Sequence, residues 1–270
     1  MKLKQVFLLG AFLTISLSSL FAQLKGLRNK DNKWALMDGS GKIITGYIYN
    51  YIGKYDITYV GKTPVIITDA FREGYAPVSS NGKAGMIDST GKLAIPLIYQ
   101  ECENFEKGKA QVFQKDKVGL IDKTGKLLIP CKYDLIQATE IDSIYIVSAK
   151  NKNSDQFQYS LISTAGTTLL PLQYDRIEES NPALRIELYK RVGFYSMSER
   201  KIIVPCKYDK ALFFHDGLAA VCLENKWGFV DLTGKLVIPI QYNRVDYGFE
   251  GGHATVWLNG EKLIIEKPVP

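Results

Sequence analysis

One phrase recurs six times along the chain, and any fold that holds it must be built by repetition. It reads KWALMDGSGKIITGYIYN from Lys33, KAGMIDSTGKLAIPLIYQ from Lys83 and KVGLIDKTGKLLIPCKYD from Lys117. It returns as QYSLISTAGTTLLPLQYD from Gln158, RVGFYSMSERKIIVPCKYD from Arg191 and KWGFVDLTGKLVIPIQYN from Lys226. The third residue falls at Ala35, Gly85, Gly119, Ser160, Gly193 and Gly228, so successive copies stand 50, 34, 41, 33 and 35 residues apart. The underlying period is about 34 residues, the length of one supersecondary unit, with two insertions. A shorter phrase precedes most copies: FREGYAPV at Phe71, FEKGKAQV at Phe105, FHDGLAAV at Phe214 and FEGGHATV at Phe249. With the closing NGEKLIIE, six full repeats and a truncated seventh fill residues 23–270 as one β domain.

Each repeat reads as three short strands. The G-x-A-x-V piece alternates small and apolar residues on one face, the WGFVD-like piece is aromatic and β-branched, and the KLVIP-like piece ends at a proline. Pro96, Pro130, Pro171, Pro205 and Pro239 cannot donate to a ladder and are expected to end that strand. The turn between the last two strands is legible residue by residue. Asp88, Asp122 and Asp231 open it and accept hydrogen bonds from the turn's own N–H groups. Gly91, Gly125 and Gly234 take the positive φ that closes a type I turn into a hairpin. The expected fold is all-β: tandem three-stranded meanders in an open, superhelical, solenoid-like array. The alternative is a six- or seven-bladed propeller-like ring, with the Tyr-Asp segment as a possible fourth strand.

The phrase K-W-G-x-I/V-D-x-x-G-K-x-V/I-I-P-x-x-Y-D resembles the WG-repeat (KWG) family of bacterial proteins. Lys226 to Asn243 and Lys117 to Asp134 carry the resemblance best, and it extends over nearly all of 23–270. The resemblance implies a repeat scaffold, often on exported proteins, with no shared catalytic activity. The departures are local. The eponymous Trp stands only at Trp34 and Trp227. The fourth repeat has Ser160 and Ser163 in the Gly and Asp slots, and the fifth has Ser196, Arg200 and one extra residue. These two repeats are expected to keep their strands and lose the tight turn.

The first residues read MKLKQVFLLGAFLTISLSSLFAQ. Lys2 and Lys4, an apolar run from Val6 to Leu17, and Ala22 before Gln23 make the order of a secretory signal peptide, residues 1–22, cleaved on export. No Cys stands beside the cut for a lipid anchor, so no stable membrane anchor is expected after cleavage. A periplasmic or extracellular protein follows. Loss of Lys2 and Lys4 takes the net charge from +6 to +4, without a block of like charges, so nucleic acid is not an expected partner.

Little in the chain points to chemistry. The recurrent Asp38, Asp88, Asp122 and Asp231 supply one carboxylate per turn, too few for a calcium site. His215 and His253 lack a Cys or His at metal spacing and read as solvated strand-edge residues. Cys131 and Cys206 follow a proline where other repeats carry Leu97, Leu172 and Ile240. They and Cys222 therefore read as core-packing residues rather than a disulfide scaffold. No nucleophile elbow, phosphate loop or paired carboxylates stand in 23–270. The expectation is a protein that is not an enzyme and holds no cofactor or metal.

The largest departure from the repeat is the insertion GYIYNYIGKYDITYVGKTPVIITDAF after the first copy. Tyr49 sits in the slot shared by Tyr99, Tyr133, Tyr174, Tyr208 and Tyr242 and reads as structural. Tyr47, Tyr51, Tyr55 and Tyr59 are extra and form the candidate ligand-binding set. Tyr47, Tyr49 and Tyr51 alternate, which would place them on one face of a strand. The competing reading is a Tyr-rich hairpin that covers the end of the array. The expected function is a scaffold that binds another protein or a surface component of the envelope. A glycan or cell-wall module that takes an envelope polysaccharide is the alternative, and an unrecognised hydrolase the third.

Overall fold

A computed structural model describes residues 25–38, 40–53, 56–60, 63–67, 71–151 and 153–268. The expected signal peptide and Tyr55 lie outside them, and of Tyr59 only the backbone is described. Among the described residues every regular element is a β-strand, and no helix is long and apolar enough to cross a membrane. The chain forms two compact bodies, residues 1–106 and 107–270.

The fold is a series of small antiparallel sheets, none closed into a barrel. In the second body the fourth sheet runs Leu135–Ala138, Ile144–Lys150, Phe157–Ser163, Thr168–Tyr174. The fifth runs Arg176–Glu178, Ala183–Leu188, Arg191–Ser196, Lys201–Tyr208, and the sixth Lys210–His215, Leu218–Leu223, Lys226–Asp231, Leu236–Tyr242. A last, three-stranded sheet holds Arg244–Glu250, His253–Leu258 and Glu261–Glu266. The unit is thus a four-stranded meander: the possible fourth strand is real and begins directly after the Tyr-Asp pair. It becomes the first strand of the next sheet, so each phrase straddles a sheet boundary.

The prolines do not end their strands, contrary to expectation. Leu127–Tyr133 runs through Pro130 and Leu236–Tyr242 through Pro239, and every one of the five prolines is exposed. These strands lie at the outer edge of their sheets, where a residue without an N–H costs no ladder bond. The pairing also slips there: Leu120 faces Ile129, while Val118 faces Tyr133, which leaves the Pro130–Lys132 stretch bulged.

The glycine that marks four of the six phrases sits beneath that bulge. A Cβ at Gly193 would stand 2.4 Å from the Val204 carbonyl oxygen, and one at Gly228 would stand 2.6 Å from that of Ile238. Ser160 holds the slot in the fourth repeat and turns the same contact into a hydrogen bond, its Oγ donating to Leu170 O at 2.7 Å.

Successive sheets share their cores. Ile144, Ile146, Leu161 and Leu170 of the fourth sheet pack with Ile177, Leu184 and Tyr195 of the fifth. Phe194 of the fifth meets Phe214 of the sixth edge to face at 4.8 Å, and Phe229 of the sixth meets Phe249 of the last sheet at 4.9 Å. The inner strands Lys109–Gln114 and His253–Leu258 bury alternate residues, as expected, whereas Leu218–Leu223, covered on both faces, is buried almost continuously.

The slot after proline is half-buried rather than core. Cys131 and Cys206 are partly exposed there, as Leu97 and Ile240 are, because the bulge lifts the chain off the sheet.

In the first body the insertion is part of the fold. Its hairpin, Asp56–Val60 and Thr63–Ile67, joins a sheet of order Trp34–Met37, Lys25–Arg28, Thr63–Ile67, Asp56–Val60. Lys25 pairs with Met37 on one side and Ile67 on the other. A second sheet holds Tyr51–Ile52, Tyr75–Ser80, Lys83–Asp88 and Leu93–Tyr99.

Candidate functional site

The residues repeated most faithfully are fully engaged in holding the repeat together. Asp122 Oδ1 accepts from Thr124 N at 2.9 Å, Thr124 Oγ1 at 2.6 Å and Lys126 N at 3.1 Å. Gly125 N donates to Asp122 O, and Gly125 has φ +84°. Asp88 with Gly91, and Asp231 with Gly234, make the same turn. The Thr124 hydroxyl and the turn N–H groups hold the Asp122 carboxyl below the usual carboxylate range. An oxygen with three donors aimed at it is a poor cation ligand. Among the described residues no three His, Cys, Asp or Glu side chains group as a metal site.

The turn survives in the fourth repeat, contrary to expectation. Ser163 replaces Asp, its Oγ accepts from Thr167 N at 3.2 Å, and Gly166 keeps φ +85°. In the fifth repeat the extra residue makes a longer loop closed by Ser196 and Lys201. Arg200 takes the left-handed conformation at φ +52° where glycine is usual.

A second device, not recognised in the sequence, ties one sheet to the next. Asp134, at the end of the third phrase, accepts from Lys117 Nζ at 2.5 Å, the first residue of that phrase. Its other oxygen accepts from Lys150 N at 2.8 Å in the following sheet. Asp209 repeats the arrangement with Arg191 and Glu224 N, and in the first body Asn50 does so with Lys33 and Asn81 N. The Lys117 ammonium holds the Asp134 carboxyl low. The signal was present in the sequence, as a basic residue opening and an Asp or Asn closing the same phrase.

Cys102, Cys131, Cys206 and Cys222 are free thiols. Burial pushes the Cys206 thiol up to about 11, which leaves it little thiolate near neutral pH. His215 and His253 are exposed, and His253 Nδ1 lies 3.0 Å from Gly251 O.

The candidate tyrosines do not form one face. Tyr49 is buried in the core with Trp34, Leu36 and Ile52, as its repeat slot implies. Tyr47 and Tyr51 are exposed. The alternation breaks because Ile48 N donates to Gly46 O at 2.9 Å, which closes a tight turn around Tyr47; only Tyr51 begins a strand. Four large side chains of the segment, Ile43, Tyr47, Ile48 and Tyr51, are 37–53% exposed within nine residues. Ile43 has exposed counterparts at Leu93, Leu127 and Leu236, so its exposure belongs to the repeat, whereas Tyr47 and Tyr51 belong to the first repeat.

A family model described as the WG containing repeat matches residues 85–117, 119–152, 193–227 and 227–261. No curated protein matches the chain. Among solved structures the chain is similar to PorZ, a bacterial surface component of the type-IX secretion system of Porphyromonas gingivalis. The identity is 10% over 86% of this chain and 34% of that one, with a TM-score of 0.31. It is similar to a eukaryotic initiation factor at 11% identity, over 87% and 68% of the two chains, with a TM-score of 0.34. It is also similar to AztD from Citrobacter koseri at 12% identity, over 90% and 78%, with a TM-score of 0.29. The chain spans about a third of the length of the first of these.

Proposed function

The chain belongs to the WG-containing repeat family, and on that premise we propose that it is a non-enzymatic scaffold, exported to the periplasm or beyond, that binds a protein partner of the cell envelope. The observation that carries the reading is the exposure of Tyr47, Ile48 and Tyr51 within five residues of the first repeat. Large apolar side chains left exposed close together in sequence favour a partner, and tyrosine buries much area for little lost conformational freedom. The repeated polar residues support the same reading from the other side. Turn Asp, boundary Asp and slot Gly are consumed by structure, which leaves specificity to what departs from the repeat. The Lys2, Lys4 and Ala22 pattern supports export.

The test has two steps. Partners are cross-linked and recovered from an envelope fraction of the native host, and the recovered protein is then titrated against wild type and a Tyr47→Ser/Tyr51→Ser variant. A loss of about tenfold or more in affinity, with an unchanged melt, is expected for a contact surface of this kind. Unchanged affinity would remove the first repeat from the interface. N-terminal sequencing of the native protein is expected to begin at Gln23; an intact Met1 would overturn export with cleavage.

A further inference from the structure

The repeat rule breaks a second time, in the second body, and the break lies around a cavity. The first strands of the fourth and fifth sheets pair with their neighbours without a slip. Those of the sixth and last sheets do not. Ala211 faces Val221 and Phe214 faces Ala219, which leaves one residue too many at Leu212–Phe213. Val245 faces Val256 and Phe249 faces Ala254, which leaves two too many across Asp246–Gly248. Bulges of this kind re-aim side chains and are common beside binding sites. Gly248 makes the second one possible, with φ +100°, and a Cβ there would meet the His215 ring at 3.7 Å.

Residues of the two bulges, Leu212, Phe213, Asp246 and Tyr247, line a cavity of about 400 Å³ together with Glu178 and Arg185 of the fifth sheet. That volume lies within the ~300–1,000 Å³ usual for small-ligand sites. Two aromatic rings stand at its rim: Tyr247 is 85% exposed and Phe213 40%.

Each carboxylate and guanidinium lining the cavity already has an ion-pair partner. Glu178 binds Arg185 and, at 2.7 Å, Arg176; Asp246 binds Arg244 at 2.8 Å. A charged ligand would therefore have to compete with one of these ion pairs. Yet hydrogen-bonding capacity remains. Each carboxylate keeps lone pairs beyond its ion pair, and the His215 ring borders the space.

Neutral, rich in groups that both donate and accept, and flat enough on one face to lie on an aromatic ring: that description fits a sugar. We infer that the cavity bounded by Glu178, Arg185, His215, Asp246, Phe213 and Tyr247 is a binding site for an uncharged saccharide. A pyranose ring stacks on Tyr247 or Phe213 and directs its hydroxyls to Asp246 and Arg185. The cavity shares no residue with the exposed set of the first repeat, so its test stands or falls apart from the scaffold reading.

The probes are four neutral trisaccharides, maltotriose, cellotriose, mannotriose and triacetylchitotriose, with trigalacturonic acid as the anionic control. Binding to the full purified chain is read by saturation-transfer NMR and calorimetry. At least one neutral sugar is expected to bind, with Tyr247→Ala weakening it about tenfold or more, as for loss of a central aromatic contact. Tyr247 is exposed enough that its truncation leaves the fold intact, and an unchanged melt checks this. Tyr189→Ala, an equally exposed tyrosine that does not line the cavity, and the Tyr47→Ser/Tyr51→Ser variant are expected to bind sugar as wild type does. No binding of any neutral sugar, a preference for the anionic one, or binding indifferent to Tyr247→Ala overturns the assignment.

Discussion

Gly166 and Gly234 occupy the same position of the same hairpin turn, with φ +85° in both. Each donates its N–H to the residue that opens the turn, Ser163 or Asp231. Their surroundings differ completely. A Cβ at Gly166 would meet nothing within 4 Å, whereas one at Gly234 would stand 1.9 Å from the carbonyl oxygen of Ile203. The turn of the sixth repeat is packed against the outer strand of the fifth sheet; the turn of the fourth is open. The repeat sequence thus specifies a local conformation uniformly, while the energetic weight of each slot depends on what the neighbouring sheet places over it, as nearest-neighbour coupling in a repeat array requires.

The largest expected effect tests that contrast. Gly234→Ala combines backbone strain with a clash against backbone, and should cost about 3 kcal/mol or more. Gly166→Ala carries the strain alone, about 1 kcal/mol. Denaturant melts of both variants measure the difference, and equal costs would break the comparison.

Next comes the slot beneath the bulge. Gly228→Ala should cost about 1–3 kcal/mol through overpacking against Ile238 O. Gly228→Ser should cost less by about 1 kcal/mol, since a hydroxyl can donate to the same carbonyl as Ser160 donates to Leu170 O. If Ser is no better tolerated than Ala, the fourth sheet has adapted to Ser160 by a backbone shift instead.

How much of this was legible follows from the range of each interaction. The Asp122–Thr124–Gly125 turn could be read because its bonds span only two to four residues. The all-β repeat could be read because the period is in the sequence. The role of Pro130 could not, since a missing N–H ends a central strand and is harmless on an edge, and only the sheet order decides which applies. The boundary between sheets was hidden for a similar reason: Lys117 and Asp134 lie in one phrase, but Asp134 also serves Lys150 of the next. The paired bulges at 211–214 and 245–249 had no signature beyond Gly248. Tyr47 and Tyr51 looked like a strand face, because an alternating pattern cannot reveal the Gly46–Ile48 turn that interrupts it.

The boundary device allows a smaller test. In a double-mutant cycle, Lys117 and Asp134 should couple by about 0.5 kcal/mol, the scale of a partly exposed ion pair. The fourth phrase opens with Gln158, which cannot form such a pair, so a Gln158–Asp175 cycle should show less. Matching coupling in the two cycles would mean that the ion pair adds nothing to the backbone bonds that Asp134 and Asp175 both accept.

The smallest effect concerns pH and separates the same two turns once more. In the third repeat the Asp122 carboxyl is held below its ordinary value of 3.8, first by the Thr124 hydroxyl and then by backbone N–H groups that favour the ionised form. A group whose folded pKa lies below its unfolded pKa binds fewer protons when folded. Its contribution is therefore present above the unfolded value and lost as the pH falls through the folded one. Ser163 does not titrate, so the fourth turn has no such dependence. Wild type should melt at a constant temperature from about pH 7 to about pH 5 and less stably below about pH 4, where Asp88, Asp134 and Asp231 add to the loss. Asp122→Ser, which copies the fourth turn, should melt lower than wild type at neutral pH and close part of that gap in acid. A gap that stays constant across the range would mean that the Asp122 carboxylate contributes through its shape, as Ser163 does, and not through its charge.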